Sequence, residues 1–177
     1  AAALGQEIDA RQLITAMRHA DRSLEIAELA LRHRDRGVAT GGVVGFDIAG
    51  AEAGFPASKH RAAFDLLATN LMPATVHAGE ADGLASIRSA LYDGRAIRLG
   101  HGVRLAEDVL VETIESDVTT VSLGELAQWV KDRGIALELS PSSNLQTGAI
   151  EAWGSSMEAH PFDLFFQLGF NVTVNTD

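Results

Sequence analysis

A histidine and a glutamate stand three positions apart at the end of one apolar run. Residues 75–80 read TVHAGE, so His77 closes the run, an alanine and a glycine turn the backbone, and Glu80 follows. Imidazole nitrogens and carboxylate oxygens can hold a metal ion and supply an acid over one substrate. The pattern is short and also occurs as a solvated or capping pair, so the chemistry needs support from other parts of the chain.

That support comes from the residues that close the other apolar runs. The runs end at Gly50, His77, His101, Ser140 and Asp177. If the runs are parallel strands, their carboxyl ends meet at one edge of a sheet, and two imidazoles and a carboxylate converge there. Nitrogen and oxygen donors of this kind suit zinc. Taken singly, His101 could only pack between its glycines and Asp177 could only cap a loop, but together with Glu80 they predict a metal site.

Composition limits the class of protein. The chain has 177 residues, of which 46% are hydrophobic, enough for one domain with a sizeable core. Its formal net charge of -10 opposes binding to phosphate backbones or anionic membranes. No apolar run reaches the roughly 18 residues of a membrane helix, and the first residues lack a secretory signal pattern, so we expect a cytoplasmic protein. Without cysteine, any zinc must be bound by nitrogen and oxygen atoms.

Strand and helix patterns alternate along the chain. Helices are predicted at residues 11–36, 57–69, 83–93, 106–115, 122–133 and 161–168, and strands at 43–50, 71–77, 96–102, 135–139 and 171–177. A Ser122 cap with Glu125 three residues later is predicted to start the helix at 122–133. His19 and His33 are predicted to be solvated residues of the first helix.

The alternation, without a hairpin signal, predicts an α/β fold of parallel strands joined by right-handed crossovers. An open doubly wound sheet and a (β/α)8 barrel both fit this order. No Gly-x-Gly-x-x-Gly follows the first strand, and polar residues or glycines close every strand, which favours the barrel. A full barrel has about 250 residues, so five βα units predict part of one. We therefore expect residues 1–177 to form a single incomplete barrel domain.

Several motifs in order resemble the adenosine deaminase family. They are FDIAG at 46–50, HAGE at 77–80, RLGHG at 98–102, SPSSN at 140–144 and NTD at 175–177. The similarity covers essentially the whole chain, and GFDIAGAE at 45–52 resembles the bacterial branch. The resemblance implies a zinc-dependent aminohydrolase on a (β/α)8 barrel, which converts adenosine and deoxyadenosine to inosine-type products and ammonia in purine salvage. Its implied partner is a small purine nucleoside, with one Zn²⁺ per complete chain.

The resemblance also implies roles for individual residues. His77 corresponds to a zinc ligand, and Asp177 to a second one. Glu80 corresponds to the acid that protonates purine N1, which predicts a partly buried carboxyl group that is neutral in the substrate complex. His101 corresponds to the residue that orients the attacking hydroxide and stabilises developing charge. The backbone N–H of Gly50 corresponds to the donor that binds purine N3.

The chain departs from the family pattern at two points. It has no His-x-His pair, which would supply two further zinc ligands on the first strand, and no second aspartate after Asp177. We therefore expect these residues to be an internal piece, about half the enzyme, that binds zinc poorly and is inactive alone. His60 is given no role, His160 is predicted to cap or pack, and residues 140–144 are predicted to support Asp177 and the zinc by hydrogen bonds.

Other readings of the sequence remain open. The same chemistry could act on adenine or on AMP, although an added phosphate calls for a basic cluster that the acidic composition does not favour. A catalytically inactive, barrel-like binding protein is the alternative from a different class.

Overall fold

The computed structural model describes residues 10–35, 42–115 and 118–177, with only the backbone described at 114, 115 and 118. The strands are β1 (Gln12–Met17), β2 (Val43–Ala49), β3 (Ala74–Ala78), β4 (Arg98–His101), β5 (Val109–Glu115), β6 (Val118–Leu123), β7 (Ala136–Leu139) and β8 (Val172–Val174). The α-helices are α1 (Ser23–Arg32), α2 (Arg61–Thr69), α3 (Leu84–Tyr92), α4 (Glu125–Asp132), α5 (Pro141–Gln146) and α6 (Phe162–Gln167). Short 3₁₀ turns lie at Ala57–His60, Val103–Asp108 and Met157–Ala159.

Among the described residues, one parallel sheet has the strand order β1-β2-β3-β4-β7-β8. Each strand therefore pairs with the next parallel strand along the chain, and the order never reverses. A doubly wound sheet reverses its order at a switch point, whereas a barrel keeps it. The chain thus forms part of a (β/α)8 barrel, as the sequence predicted.

The core lies between the sheet and the helices that cross over it. Strand side chains of Phe46, Ile48, Val76, Leu99 and Leu137 are fully buried. They alternate with residues that face the other side of the sheet, such as Asp47 and His77, because side chains along a strand point to opposite faces. One face of the sheet therefore builds the core, and the other carries the polar groups of the candidate site. No described helix is both long and apolar enough to span a membrane.

The helix predicted at residues 11–36 is wrong over its first part. Residues 12–17 form β1, whose register runs from Gln12 beside Val43 to Met17 beside Ala49. Leu13, Ile14 and Met17 match helical spacing, but pairing with β2 determines the structure, and β-branched residues fit a strand well. The true helix begins at Ser23. His19 is exposed as predicted but lies outside a helix, while His33 is exposed at the end of α1.

The helix predicted at residues 106–115, and the expectation of no hairpin, are also wrong. Residues 103–108 form a 3₁₀ turn, and β5 then pairs antiparallel with β6. The sequence VLVETIE is rich in β-branched residues, which favour a strand. Residues 116–117 lie outside the described residues. Because Ser122 belongs to β6, α4 begins only at Glu125, and the Asp108 carboxylate accepts a hydrogen bond from Ala127 N–H at 2.8 Å.

Candidate active site

The parallel register brings the carboxyl ends of the strands to one level. Ala78 of β3 stands beside His101 of β4, and Leu139 of β7 stands beside Val174 of β8. His77 and His101 therefore end neighbouring strands, and Asp177 follows β8 at the same edge. His77 and His101 are 24 residues apart in sequence, and His101 and Asp177 are 76 apart. The order of the strands in the sheet brings them together.

His77, His101 and Asp177 form a group that could bind a metal ion. One possible ligand atom from each lies within 4.8 Å of the others. The three residues line a pocket of about 200 Å³ together with Gly100, Glu138, Ser140 and Asn175. Two imidazole nitrogens and a carboxylate oxygen are donors that zinc accepts. The sequence predicted this convergence; which atoms bind the metal stays a prediction.

Asp47 holds the ring of His77. The Nδ1 of His77 lies 3.0 Å from Asp47 Oδ1, and Thr15 Oγ1 donates to Asp47 Oδ2 at 3.1 Å. Nδ1 is thereby engaged, which leaves Nε2 as the ring nitrogen available to a ligand. Burial alone would lower the pKa of His77, but the hydrogen bond to Asp47 and nearby carboxylates outweigh it and raise that pKa. A Cβ at Gly100 would lie 2.7 Å from the His77 ring, so the close approach of ring and strand requires glycine.

His101 is held in an unusual backbone conformation. Its φ is +64°, which costs a non-glycine residue about 1 kcal/mol or more. Regular alternation would put its side chain on the face of Leu99, away from Gly100, and the positive φ breaks that alternation at the end of β4. The ring is buried, and its Nε2 lies 3.4 Å from Glu80 Oε2 and 3.9 Å from Asp177 Oδ1. The backbone strain thus accompanies a ring that is turned into the site.

Glu80 lies against His101. Its Oε1 accepts hydrogen bonds from Thr147 Oγ1 at 3.0 Å and from Asn144 Nδ2 at 3.4 Å. The side chain is 20% exposed, which agrees with the predicted partial burial. Its neutral state in a substrate complex stays a prediction.

The segment that carries Glu80 is anchored by a carboxylate that the sequence analysis overlooked. Glu52, which is buried, accepts backbone N–H groups from four consecutive residues, 79 to 82, at 2.6, 3.1, 2.7 and 3.1 Å. The carboxylate of Glu52 also lies near the buried Arg18. The pKa of Arg18 is lowered, because the effect of burial outweighs that of the nearby carboxylates of Glu52, Asp47 and Asp82. The glycine-bounded loop after β2 was the available signal, since such loops approach neighbouring backbone closely.

The segment predicted to support the site does so as helix α5. Ser143 Oγ donates to Asp177 Oδ2. Asn144, which is fully buried, contacts His101, Glu80 and His160. His160 caps as predicted, because its Nδ1 accepts the Phe162 N–H at the start of α6, but its link to the site through Asn144 was missed.

Two further residues complete the comparison with the sequence. Gly50 follows β2 with a φ of +92°, a conformation that favours glycine, and a Cβ there would also lie 2.9 Å from Met17 Cε. The contact of Gly50 with a purine stays a prediction. His60, which the sequence analysis gave no role, is buried. Its ring nitrogens lie 2.9 Å from Ser23 Oγ and 2.9 Å from the Arg18 carbonyl oxygen.

A larger groove elsewhere carries none of this chemistry. It has a volume of about 580 Å³ between α3 and α4, and its walls include Leu91, Tyr92, Leu126 and Trp129. We assign the site to the smaller pocket because buried titratable groups converge there and not in the groove.

Comparison with known proteins identifies the family. A family model described as adenosine deaminase matches residues 1–177. The chain belongs to the adenosine deaminase family. It is 54% identical over 177 residues to an adenosine deaminase of Mycobacterium sp. (strain KMS), and 53% identical over 176 residues to one of Mycobacterium avium (strain 104). These matches cover 100% and 99% of this chain but only 45% and 46% of the relatives, so the chain spans less than half their length.

Solved deaminases share the fold of this family member. The N6-methyl-AMP deaminase of Arabidopsis thaliana aligns with a TM-score of 0.70 at 25% identity, over 94% of this chain and 42% of that protein. The adenine deaminase of Arthrobacter aurescens aligns with a TM-score of 0.69 at 24% identity, over 92% and 43%. An amidohydrolase from Burkholderia ambifaria, solved with bound Zn, aligns with a TM-score of 0.71 at 20% identity, over 95% and 41%.

Proposed function

We propose that the protein hydrolyses adenosine and deoxyadenosine to the corresponding inosines and ammonia with the help of zinc. The observation that carries the proposal is the convergence of His77, His101 and Asp177 within 4.8 Å, with Glu80 against them. The mycobacterial relatives, at 54% and 53% identity, are named adenosine deaminases, which supports the choice of substrate.

The donor set of the pocket fits zinc. His77 presents Nε2 because Asp47 engages Nδ1, and Asp177 presents a carboxylate oxygen because Ser143 engages the other. In the family pattern further ligands come from a His-x-His pair, which these 177 residues do not contain. When bound, zinc supplies a Lewis acid that lowers the pKa of water to about 7. The amidohydrolase with bound Zn supports the same metal for this chain.

Glu80, His101 and Gly50 have separate roles in the reaction. Glu80 holds a proton on its carboxyl group and gives it to purine N1, because attack at the neighbouring ring carbon builds negative charge there. Thr147 and Asn144 hold Oε1, so Oε2 faces His101 and the pocket. His101 orients the attacking hydroxide and stabilises the charge that develops on its oxygen. Gly50 binds purine N3 through its backbone N–H, which sets the ring's orientation.

A nucleotide is a weaker candidate for the substrate. Solved neighbours are named as adenine and N6-methyl-AMP deaminases, and one was solved with IMP. The residues lining the pocket of this chain include Glu138 and Asp177 but no lysine or arginine. Glu138 is paired with Arg98, but a phosphate close to the Asp177 carboxylate would be repelled, which favours a nucleoside or a free base.

The test compares Glu80→Gln with the unchanged protein, on adenosine, adenine and AMP in parallel. Loss of the acid should lower kcat for inosine formation by at least about 100-fold, while zinc content per chain is retained. Glu28→Gln, on the exposed side of α1, is the matched control and should leave kcat unchanged. Full activity of Glu80→Gln would overturn the mechanism, and faster turnover of adenine or AMP than of adenosine would overturn the substrate.

A further inference from the structure

A backbone group fixes the protonation of His160. The Phe162 N–H at the start of α6 donates to His160 Nδ1 at 3.0 Å. A backbone amide can only donate, so Nδ1 must be the unprotonated nitrogen. The ring is then neutral, with its proton on Nε2. The side chain is only 6% exposed, and burial lowers the pKa of His160, which agrees with a neutral ring.

That proton fixes the orientation of Asn144. His160 Nε2 lies 3.2 Å from Asn144 Oδ1, and an N–H facing this atom requires the amide oxygen and not the amide nitrogen. The Asn144 side chain is 0% exposed, so water cannot replace these partners. Its NH₂ group must therefore point the other way, toward His101 and Glu80.

The amide in turn fixes the proton of His101. Asn144 Nδ2 lies 3.0 Å from His101 Nδ1 and 3.4 Å from Glu80 Oε1, so its two hydrogens serve one acceptor each. Nδ1 of His101 must be unprotonated to accept, which leaves the proton of the neutral ring on Nε2. That atom faces Glu80 at 3.4 Å and Asp177 at 3.9 Å.

We propose that His160 is a positioning residue that acts through Asn144 to hold His101 in the tautomer with its proton on Nε2. The chain of hydrogen bonds joins the start of α6 to α5 and to the end of β4. Every donor in it faces an acceptor, and reversing one group would place two donors or two acceptors against each other.

The consequence for catalysis rests on the function proposed above. With Nε2 protonated, the neutral ring presents a hydrogen-bond donor to the pocket and cannot accept a proton there. His101 then aligns and stabilises an oxygen anion, and does not act as the base toward water. The tautomer assignment itself does not depend on the substrate.

Nitrogen NMR of the intact protein labelled with ¹⁵N-histidine measures the tautomers directly. In the unchanged protein, both His101 and His160 should show a protonated Nε2 and an unprotonated Nδ1. In His160→Leu, Asn144 loses its anchor and can reverse, so His101 should show a mixture of tautomers. In His160→Gln, an amide N–H can still reach Asn144 Oδ1, so His101 should keep its tautomer.

Kinetics on the same samples separate positioning from folding. His160→Leu should lower kcat about 10- to 100-fold with little change in KM, in the range seen when the partner of a site residue is removed. His160→Gln should restore most of the loss. His33→Leu, at the exposed end of α1, is the control and should leave kcat and the His101 signals unchanged.

If His160→Leu does not fold, Asn144→Asp provides the second test. A carboxylate beside His101 Nδ1 can only accept, so the proton of His101 should move to Nδ1. A protonated Nδ1 of His101 in the unchanged protein, or unaltered His101 signals in both His160→Leu and Asn144→Asp, would overturn the inference. Absence of adenosine turnover by the unchanged protein would overturn the proposed function but leave the tautomer assignment standing.

Discussion

At the scale of single residues, His77, Glu80 and Asp177 are each held by one atom and present another to the site. Asp47 holds Nδ1 of His77, Thr147 holds Oε1 of Glu80, and Ser143 holds Oδ2 of Asp177. The atoms that remain are the ones needed for a metal ion or a substrate. Such partners fix the ring or carboxylate before a ligand arrives, which reduces the cost of ordering them on binding.

Removing Asp47 should therefore weaken metal binding without removing a ligand. In Asp47→Ala the His77 ring loses the acceptor at Nδ1. The ring is then no longer held in one orientation, and its basicity decreases. We expect zinc affinity of the intact protein to fall about 10- to 100-fold. Competition titration with a chelator measures this loss. Asp65→Asn, in an exposed ion pair with Arg95, is the control, and equal affinities of the two variants would contradict the role of Asp47.

The residues found from sequence and those missed differ in where their partners lie. His77 and Glu80 share one short motif, and His101 and Asp177 close apolar runs, so local patterns identify them. Asp47 and Glu52 act on residues about 30 positions away, and His160 acts on α5 through one buried amide. No local pattern reports such pairings, because they depend on which strands and loops become neighbours in the fold.

At the scale of elements, the turn between β3 and α3 sets the position of Glu80. Gly79 has a φ of +77°, and a Cβ there would lie 2.6 Å from Cδ1 of Ile87, a buried residue of α3. Its N–H is also one of the four bound by Glu52. Position 79 thus needs a glycine for its backbone conformation and for space at once.

Gly79→Ala should destabilise the protein and displace Glu80. Backbone strain of about 1 kcal/mol and overpacking of about 1 to 3 kcal/mol should together lower the free energy of unfolding by about 2 to 4 kcal/mol. Denaturant titration measures the loss, and kcat should fall in the same variant. Gly134→Ala is the matched control, because its φ is +61° but nothing lies within 4 Å of the added Cβ. Equal effects of the two substitutions would exclude the contact with Ile87 as a cause.

The residue that caps the start of α4 in the structure is not the one that the sequence predicted. Asp108 accepts the Ala127 N–H, whereas Ser122 is exposed in β6. Asp108→Ala should lower the free energy of unfolding by about 0.5 to 2 kcal/mol, while Ser122→Ala should change it by less than about 0.5 kcal/mol. Thermal or denaturant unfolding of both variants checks this order, and a larger loss for Ser122→Ala would contradict it.

The errors in element type have one physical cause. Residues 12–17 and 109–115 have apolar residues at spacings that fit either a helix or a strand, and local propensity did not decide between them. The backbone hydrogen bonds that pair β1 with β2 and β5 with β6 decided that both segments are strands. The helix predicted at residues 83–93, which stops before Gly94, is confirmed as α3.

At the scale of the whole molecule, the order of the sheet could be predicted although several elements could not. Alternating strands and helices with short connections leave few topologies, and the right-handed crossover rule leaves fewer. The polar ends of the strands then separated a barrel from a doubly wound sheet. Five of the six parallel strands were enough for that inference, because missing β1 removed only an edge of the described sheet.

The pH dependence of stability is also a property of the whole molecule. Burial lowers the pKa of both His60 and His160. The His160 ring is neutral in the folded protein, since its Nδ1 accepts the Phe162 N–H. His60 Nε2 donates to the Arg18 carbonyl oxygen, and the lowered pKa favours a neutral ring whose Nδ1 accepts from the Ser23 hydroxyl. The unfolded chain binds a proton at each of these residues below about pH 6.5, whereas the folded chain does not. Their contribution to stability is therefore complete above about pH 6.5 and decreases as the pH falls toward the folded pKa values.

Denaturant unfolding of the intact, metal-saturated protein between about pH 7.5 and 5.5 tests this linkage. The free energy of unfolding should fall with decreasing pH, with a limiting slope of about 1.4 kcal/mol per pH unit for each histidine that stays neutral in the folded state. His60→Gln should reduce the slope by up to that amount, because one protonation difference between the states is removed. His33→Gln, at an exposed position, should leave the slope unchanged. A free energy of unfolding that stays constant or rises as the pH falls would contradict the neutral state of the two buried rings.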